Sequence, residues 1–240
     1  MNQKPMKKNL LFLLAAVLFA PIRLTAQKVD PQAYFTNSDG KEEATRSIDE
    51  GQAPLEVTFR ANPTGMDEFS PSYEWHFRKM KEGTAYDELF VRYEEDTQYT
   101  FNESGTFNVV LKTHLNDDAV ADPDSVVIVI AVLQSRLEFP NAFSPNDDGF
   151  NDKFMAKEGW RSIVEFHGYI FNRWGQKLFD WTDLNEGWDG KYKGKPVSDG
   201  VYYLLVKAKG ADGHRYNIRK DINLLRGYTE GGQGGGTTRN

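Results

Sequence analysis

The chain has 240 residues, of which 39% are hydrophobic and 27% charged, and it contains no cysteine. That is the composition of a globular protein rather than a fibrous or disordered one, and it excludes disulfides and thiolate metal sites. Residues 1–26 hold Lys4, Lys7, Lys8 and Arg23 and no acid, so the rest carries 25 basic against 35 acidic side chains, a balance unsuited to nucleic acid.

The first segment reads as a secretory signal peptide, residues 1–26. It has a basic start, an apolar run from Leu10 to Ala20 and small residues around Leu24-Thr25-Ala26 before Gln27. The run is too short to span a bilayer, and no later stretch reaches the length of a transmembrane helix. Without a cysteine the exported chain cannot carry a lipid on an N-terminal cysteine, so any membrane attachment is expected to run through a partner.

From Gln27 onward, β-branched and aromatic runs alternate with Gly, Pro, Asn and Asp clusters, and long helical periodicity is missing. The expected fold is all-β: two immunoglobulin-like β-sandwich domains in tandem after a signal peptide. The first occupies residues 27–133. Its predicted strands are Leu55 to Ala61, Tyr73 to Phe77, Leu89 to Tyr93, Tyr99 to Phe101, Thr106 to His114 and Ser125 to Leu133. Tyr73-Glu74-Trp75-His76-Phe77, together with Tyr99-Thr100-Phe101 and Gly105-Thr106-Phe107-Asn108-Val109, resembles the core pattern of PKD-like sandwiches. That resemblance implies a spacer or a protein contact.

After a short linker, Gln134-Ser135-Arg136, the second domain occupies 137–226. Strands are predicted at Val164 to Asn172, Gln176 to Trp181, Val201 to Lys209 and Arg215 to Leu225, with Val201 to Val206 apolar enough to suggest a buried strand. Lys209-Gly210-Ala211-Asp212-Gly213 reads as a hairpin whose glycines supply positive φ. Trp174, Trp181 and Trp188 are expected to fill a small core. Residues 227–240 hold six glycines and no aliphatic core residue, and are expected to be a flexible tail.

Five motifs in this half form an ordered series. Ser144-Pro145-Asn146-Asp147-Asp148-Gly149 leads into Asn151 and Asp152. Asn172-Arg173-Trp174-Gly175 follows, then Trp188-Asp189-Gly190, then Asp199-Gly200-Val201-Tyr202, and finally Leu225-Arg226. In this order they resemble the gliding-motility-associated C-terminal domain, the type B sorting domain of the type IX secretion system. The resemblance implies an immunoglobulin-like sandwich recognised by outer-membrane type IX translocon proteins. It carries Asp147 where the family has a second turn glycine.

Chemistry-bearing alternatives are weaker. Asn146, Asp148, Asn151 and Asp152 gather oxygens that could hold Ca²⁺, but off the EF-hand spacing and in a sequence that a Pro/Asx/Gly turn also explains. His76, His114, His167 and His214 are far apart in sequence and match no zinc or catalytic spacing. The stretch GKYKGK at 190–195 has the wrong length for a phosphate loop. Glu94-Glu95-Asp96 and Asp117-Asp118 read as charged edges rather than a catalytic pair. Asp124-Ser125-Val126 resembles a short bacterial O-glycosylation acceptor, and Trp160 and Tyr228 are candidate exposed contacts.

The expectation is therefore a protein with no enzymatic activity, no small-molecule substrate and no cofactor, acting in type IX secretion or gliding motility. With fourteen residues beyond Arg226 and only one domain ahead of the sorting-like one, it favours an accessory subunit. That subunit would be held in the periplasm at the outer-membrane translocon, supporting protein export. The alternative is a surface-exported client, an adhesin or structural protein, sorted by its second domain.

Overall fold

The computed structural model describes residues 27–227 except 38, 67, 82–84 and 117–120, so the predicted signal peptide, Asp117-Asp118 and Tyr228 with the rest of the tail lie outside the described residues. Every named element among the described residues is a strand. The first half contains β1 (Lys28–Val29), β2 (Gln32–Thr36), β3 (Glu42–Thr45), β4 (Ser47–Gly51), β5 (Leu55–Arg60), β6 (Pro63–Thr64), β7 (Ser72–Met80), β8 (Tyr86–Arg92), β9 (Asp96–Phe101), β10 (Gly105–His114) and β11 (Val126–Val132). The second contains β12 (Ala142–Phe143), β13 (Ile163–Phe171), β14 (Lys177–Trp181), β15 (Lys191–Tyr192), β16 (Lys195–Pro196), β17 (Gly200–Gly210) and β18 (Arg215–Leu224).

In the first half a four-stranded sheet, β3-β2-β5-β9, is packed on a five-stranded one, β4-β11-β10-β7-β8. The period-2 pattern decides which side faces in: Leu55, Val57 and Phe59 of β5 are buried while Glu56 and Arg60 are exposed. Phe59 meets Phe77 edge-on at 5.4 Å and lies 5.8 Å from Trp75, so the two sheets are joined by aromatic contacts. Trp75 donates its indole N–H to the Glu94 and Glu95 carbonyls, which fixes the β8–β9 turn.

The second half is built on one five-stranded sheet, β12-β18-β17-β13-β14. Its inner face (Ile170, Leu204, Val206, Ile222, Leu224) is covered by the irregular stretches that carry Phe139, Phe154, Leu184 and Trp188. The β15–β16 ribbon belongs to the same covering side, because Trp188 donates to the Lys191 carbonyl at 2.8 Å. The apolar run Val201 to Val206 is not a strand buried on both faces: Tyr202, Leu204 and Val206 point in, while Val201 and Tyr203 are exposed. A two-layer fold leaves the outer face of this sheet uncovered.

The two halves meet at the start of β13 and the β17–β18 turn. Ser104 donates its N–H to Ala211 O at 3.0 Å, and Ala211 and Val164 pack into the first core. The predicted linker is pinned rather than loose: Ser135 bonds the Asp212 carboxylate and the Tyr216 hydroxyl, and Arg136 is bridged to Arg161. Of the two hairpin glycines only Gly213 has positive φ; Gly210 is required because a Cβ there would collide with the Ser135 side chain.

Candidate functional site

The register of β13 and β17 places Ile163 opposite Gly210 at the end that touches the first sandwich, and Phe171 opposite Tyr203 at the other. Eleven residues of β17 separate the two ends by about 33 Å. All five sequence motifs lie at the far end, because it collects the end of β12, the β13–β14 turn, the β15–β16 ribbon, the start of β17 and the end of β18.

The 144–152 loop is organised by one carboxylate. Asp152 accepts the N–H groups of Asn146 at 3.0 Å, Asp147 at 2.7 Å and Gly149 at 2.8 Å. Partial desolvation raises its pKa, but the N–H groups of Gly149, Asp147, Asn146 and Asp148 outweigh this and hold it below the usual aspartate value. Asp147, Gly149 and Asn151 all have positive φ, at 62°, 88° and 51°. Asp147 therefore sits where a glycine would be unstrained, and an Asx residue is the next best tolerated.

The proposed calcium oxygens are engaged in this turn. Asp148 accepts Phe150 N–H and the Asn146 amide, Asn146 accepts Asp148 N–H, and Asp152 is occupied as above. The arrangement is an Asx-knotted turn capped by an acid.

Arg226 closes the pole from the opposite strand. Its guanidinium donates to Asp199 Oδ1 at 2.8 Å, to Val197 O at 2.5 Å and to Gly190 O at 3.0 Å, and its backbone N–H donates to Asp199 Oδ2 at 2.9 Å. Gly190, at φ 72°, has Pro145, Leu224 and Arg226 packed where a side chain would stand, so the first, third and fifth motifs touch at one point. Trp188 is fully buried between Phe143 and Tyr202, and Tyr202 donates to Ser198 O at 2.6 Å. Asp189 accepts Lys191 N–H and pairs with its ammonium, and Gly200 opens β17 with φ 145°.

The Asn172-Arg173-Trp174-Gly175 motif behaves differently. Asn172 Oδ1 accepts the N–H groups of Trp174 and Gln176, both at 3.0 Å, and Gly175 takes φ 77°, which makes a tight β13–β14 turn. Its tip holds Trp174, which is 78% exposed and lies under the Arg173 guanidinium at 4.8 Å, so this tryptophan is not a core residue as its type suggested. Beside it is a cleft of about 620 Å³ lined by Tyr192, Val197, Asp199, Tyr202 and Tyr203 as well as Trp174. Phe150 and Leu225 are exposed large apolar side chains of the same pole.

Other sequence candidates fall elsewhere. Residues 190–195 form the β15–β16 ribbon, with Lys193 and Gly194 at positive φ. Trp160 is half-buried against the second core, and Ser125 is exposed immediately before β11. His167 stacks on Tyr169, and His214 meets Tyr216 edge-to-face. His76 and His114, 38 positions apart in the sequence, come together around Glu74. Their convergence depends on the β7–β10 register and left no spacing signal.

Residues 137–220 match the family model of the CHU_C type IX secretion signal domain. That span is the second sandwich up to the middle of β18, so this part of the chain is similar to a secretion signal domain of the type IX pathway, as its motifs imply. No curated protein matches the chain. Among solved structures, chicken CNTN1 FN1-FN3 domains are 11% identical over 80% of this chain and 76% of that one, with a TM-score of 0.26. The fibronectin(III)-like modules of Clostridium thermocellum CbhA are 12% identical over 78% and 96%, with a TM-score of 0.23.

Proposed function

We propose that the chain is a non-enzymatic client of the type IX secretion pathway, exported across the inner membrane by residues 1–26. Its far pole then docks on outer-membrane translocon proteins, which deliver it to the cell surface. The first sandwich, PKD-like in its core pattern, is the delivered part and serves as a spacer or protein contact.

The observation that carries this reading is the convergence of all five motifs on the end of the second sandwich that points away from the first. Internal bonds of Asp152, Trp188, Asp199 and Arg226 make that pole rigid, while Arg173 and Trp174 are left outside beside an aromatic cleft. Exposed Trp and Arg on a preorganised turn are the residue types that dominate protein interfaces.

The test fuses a fluorescent cargo to residues 137–240 behind a signal peptide and fractionates wild-type cells and a translocon mutant. A client signal puts the cargo on the surface or in the medium of the first and in the periplasm of the second. Periplasmic retention of both fusion and native chain in both strains, with export of other proteins failing when the gene is deleted, would replace this reading with an accessory translocon subunit.

A further inference from the structure

The four-stranded sheet of the first sandwich forks. β2 pairs with β5 only through Gln32 with Arg60, Ala33 with Phe59 and Tyr34 with Thr58, although β2 continues to Thr36 and β5 begins at Leu55. β3 follows β2 to its end, with Glu42 opposite Thr36, and β9 follows β5, with Phe101 opposite Leu55. The β2–β3 hairpin therefore parts from β5 and β9 beyond Tyr34. Successive residues of a strand send their N–H and C=O groups to opposite edges, so every second residue of Leu55 to Val57 turns these groups into the fork, where no strand among the described residues meets them.

The fork opens on a cleft of about 1190 Å³. Its floor is apolar: buried Ile48 of β4 and Leu55 of β5 meet around Gly51, and half-buried Phe35 of β2 closes one side. Its lips carry Glu42 and Glu43 of β3, Asp49 and Glu50 of β4 and Glu56 of β5, and neither Lys nor Arg lines it. Glu43 accepts the Asn37 amide at 2.6 Å, Asp49 the Ser47 hydroxyl at 2.6 Å and Glu56 the Gln98 amide, yet none of the five carboxylates has a cationic partner among the described residues. Arg46, between β3 and β4, is turned to Asp30, and Arg60, near the apex, is held over the Tyr34 ring at 4.4 Å.

An extended chain added to β5 sends alternate side chains to opposite faces, so one set covers the floor and the other reaches the carboxylates. Strand addition of this kind draws affinity from main-chain bonds and specificity from alternate side chains. Charge selects the partner. Acids at the ends of sheets discourage pairing with an acidic strand, and residues 27–133 hold 21 acidic against 9 basic side chains, so a second copy of this sandwich is repelled. A basic strand is attracted by the same field.

We infer that the fork between β2 and β5 binds an extended segment of a partner protein in which apolar residues alternate with lysine or arginine. Its backbone pairs with Leu55 to Val57 of β5, its apolar side chains lie on Phe35, Ile48 and Leu55, and its cations face the five carboxylates. The open edge of β5 is only about 10 Å long, so a short ladder and the acids act together. This names the chemistry of the contact and rests on the reading of the first sandwich as a protein contact.

The test titrates the tag-free full chain into a fluorescein-labelled peptide that alternates lysine with valine, read by anisotropy, alongside variants whose thermal unfolding confirms that they are folded. The alternating peptide binds and its glutamate–valine counterpart does not, while a peptide of the same composition with lysines and valines in separate blocks binds at least about tenfold more weakly. N-methylation of the lysines or of the valines, whichever set of N–H groups faces β5, weakens binding more than about tenfold. Glu43→Gln, Asp49→Asn and Glu56→Gln each weaken it about two- to fivefold and together more than about tenfold, added salt weakens it further, and Glu186→Gln in the second sandwich leaves it unchanged. No binding of the alternating peptide, equal binding of the block peptide, or binding untouched by the triple variant or by both N-methylations overturns the proposal. Export of the fused second sandwich is a separate measurement, so failure of either result leaves the other standing.

Discussion

The Asp199 carboxylate is gripped twice by Arg226, by the backbone N–H at 2.9 Å and by the guanidinium at 2.8 Å. The same guanidinium reaches the carbonyls of Val197 and Gly190, so one side chain joins the β16–β17 connection, the residue that enters β15 and the end of β18. A planar fork with several donors suits this task and an ammonium does not.

Replacing Arg226 by Ala removes charge-assisted bonds and leaves two carbonyls without it. The expected loss is about 1.5–3 kcal/mol in urea-induced unfolding, and Arg226→Lys recovers less than half of it. If Lys restores the full stability, the fork geometry is irrelevant and the latch is only a surface ion pair.

Asp152 gives the same pole a pH dependence. Its carboxyl is held below its ordinary value of 3.8, so its stabilisation of the loop is present above that value and is lost as pH falls through the lower folded value. Asp152→Asn removes the charge, lowering the melting temperature near neutral pH. The gap between wild type and variant narrows as pH is lowered below about 4. A gap that stays constant down to about pH 2 means that the charge on Asp152 contributes nothing.

Two tryptophans of the motifs are expected to respond in opposite ways. Trp188 is fully buried, and Trp188→Ala costs about 3–5 kcal/mol of stability. Trp174→Ala changes stability by no more than about 0.5 kcal/mol, yet it abolishes surface delivery of the fused cargo if the exposed turn is the docking anchor. Normal delivery of a Trp174→Ala, Arg173→Ala double variant moves the anchor elsewhere on the domain.

Ten strands were legible from their β-branched and aromatic runs: β5, β7, β8, β9, β10, β11, β13, β14, β17 and β18 stand within three residues of their predicted limits. The strands β2, β3 and β4 were not. Glu42-Glu43-Ala44-Thr45 and Ser47-Ile48-Asp49-Glu50-Gly51 carry acids where β-propensity expects branched or aromatic side chains. They end the two sheets, where charge discourages pairing with other chains, and β4 reaches the core through Ile48 and the buried Gly51 while pairing with β11.

At the pole, the glycine, proline and Asx positions identified the turns correctly, since those residues act locally. Which tryptophan turns outward was not legible, because Trp174 and Trp188 differ only in what the folded chain brings against them. The Glu74–His76–His114 cluster was invisible for the same reason: it is a product of strand register, and register is set by the opposite, apolar face.

The joint between the sandwiches supplies the last prediction. Gly210 lies against Ser135, whose hydroxyl bonds Asp212 and Tyr216, so a methyl group at 210 collides with a side chain that is itself held in place. Gly210→Ala is expected to cost about 1–3 kcal/mol, the usual range for overpacking. Ser135→Gly removes the two nearest clashing atoms, leaving the Asp212 carboxylate, which it also frees from its bonds to the Ser135 hydroxyl. In that background the cost of Gly210→Ala falls, giving a coupling of about 1 kcal/mol in a double-mutant cycle read by urea unfolding. Additive costs would show that the linker moves aside freely, and with it that the far pole is not held at a fixed distance from the first sandwich.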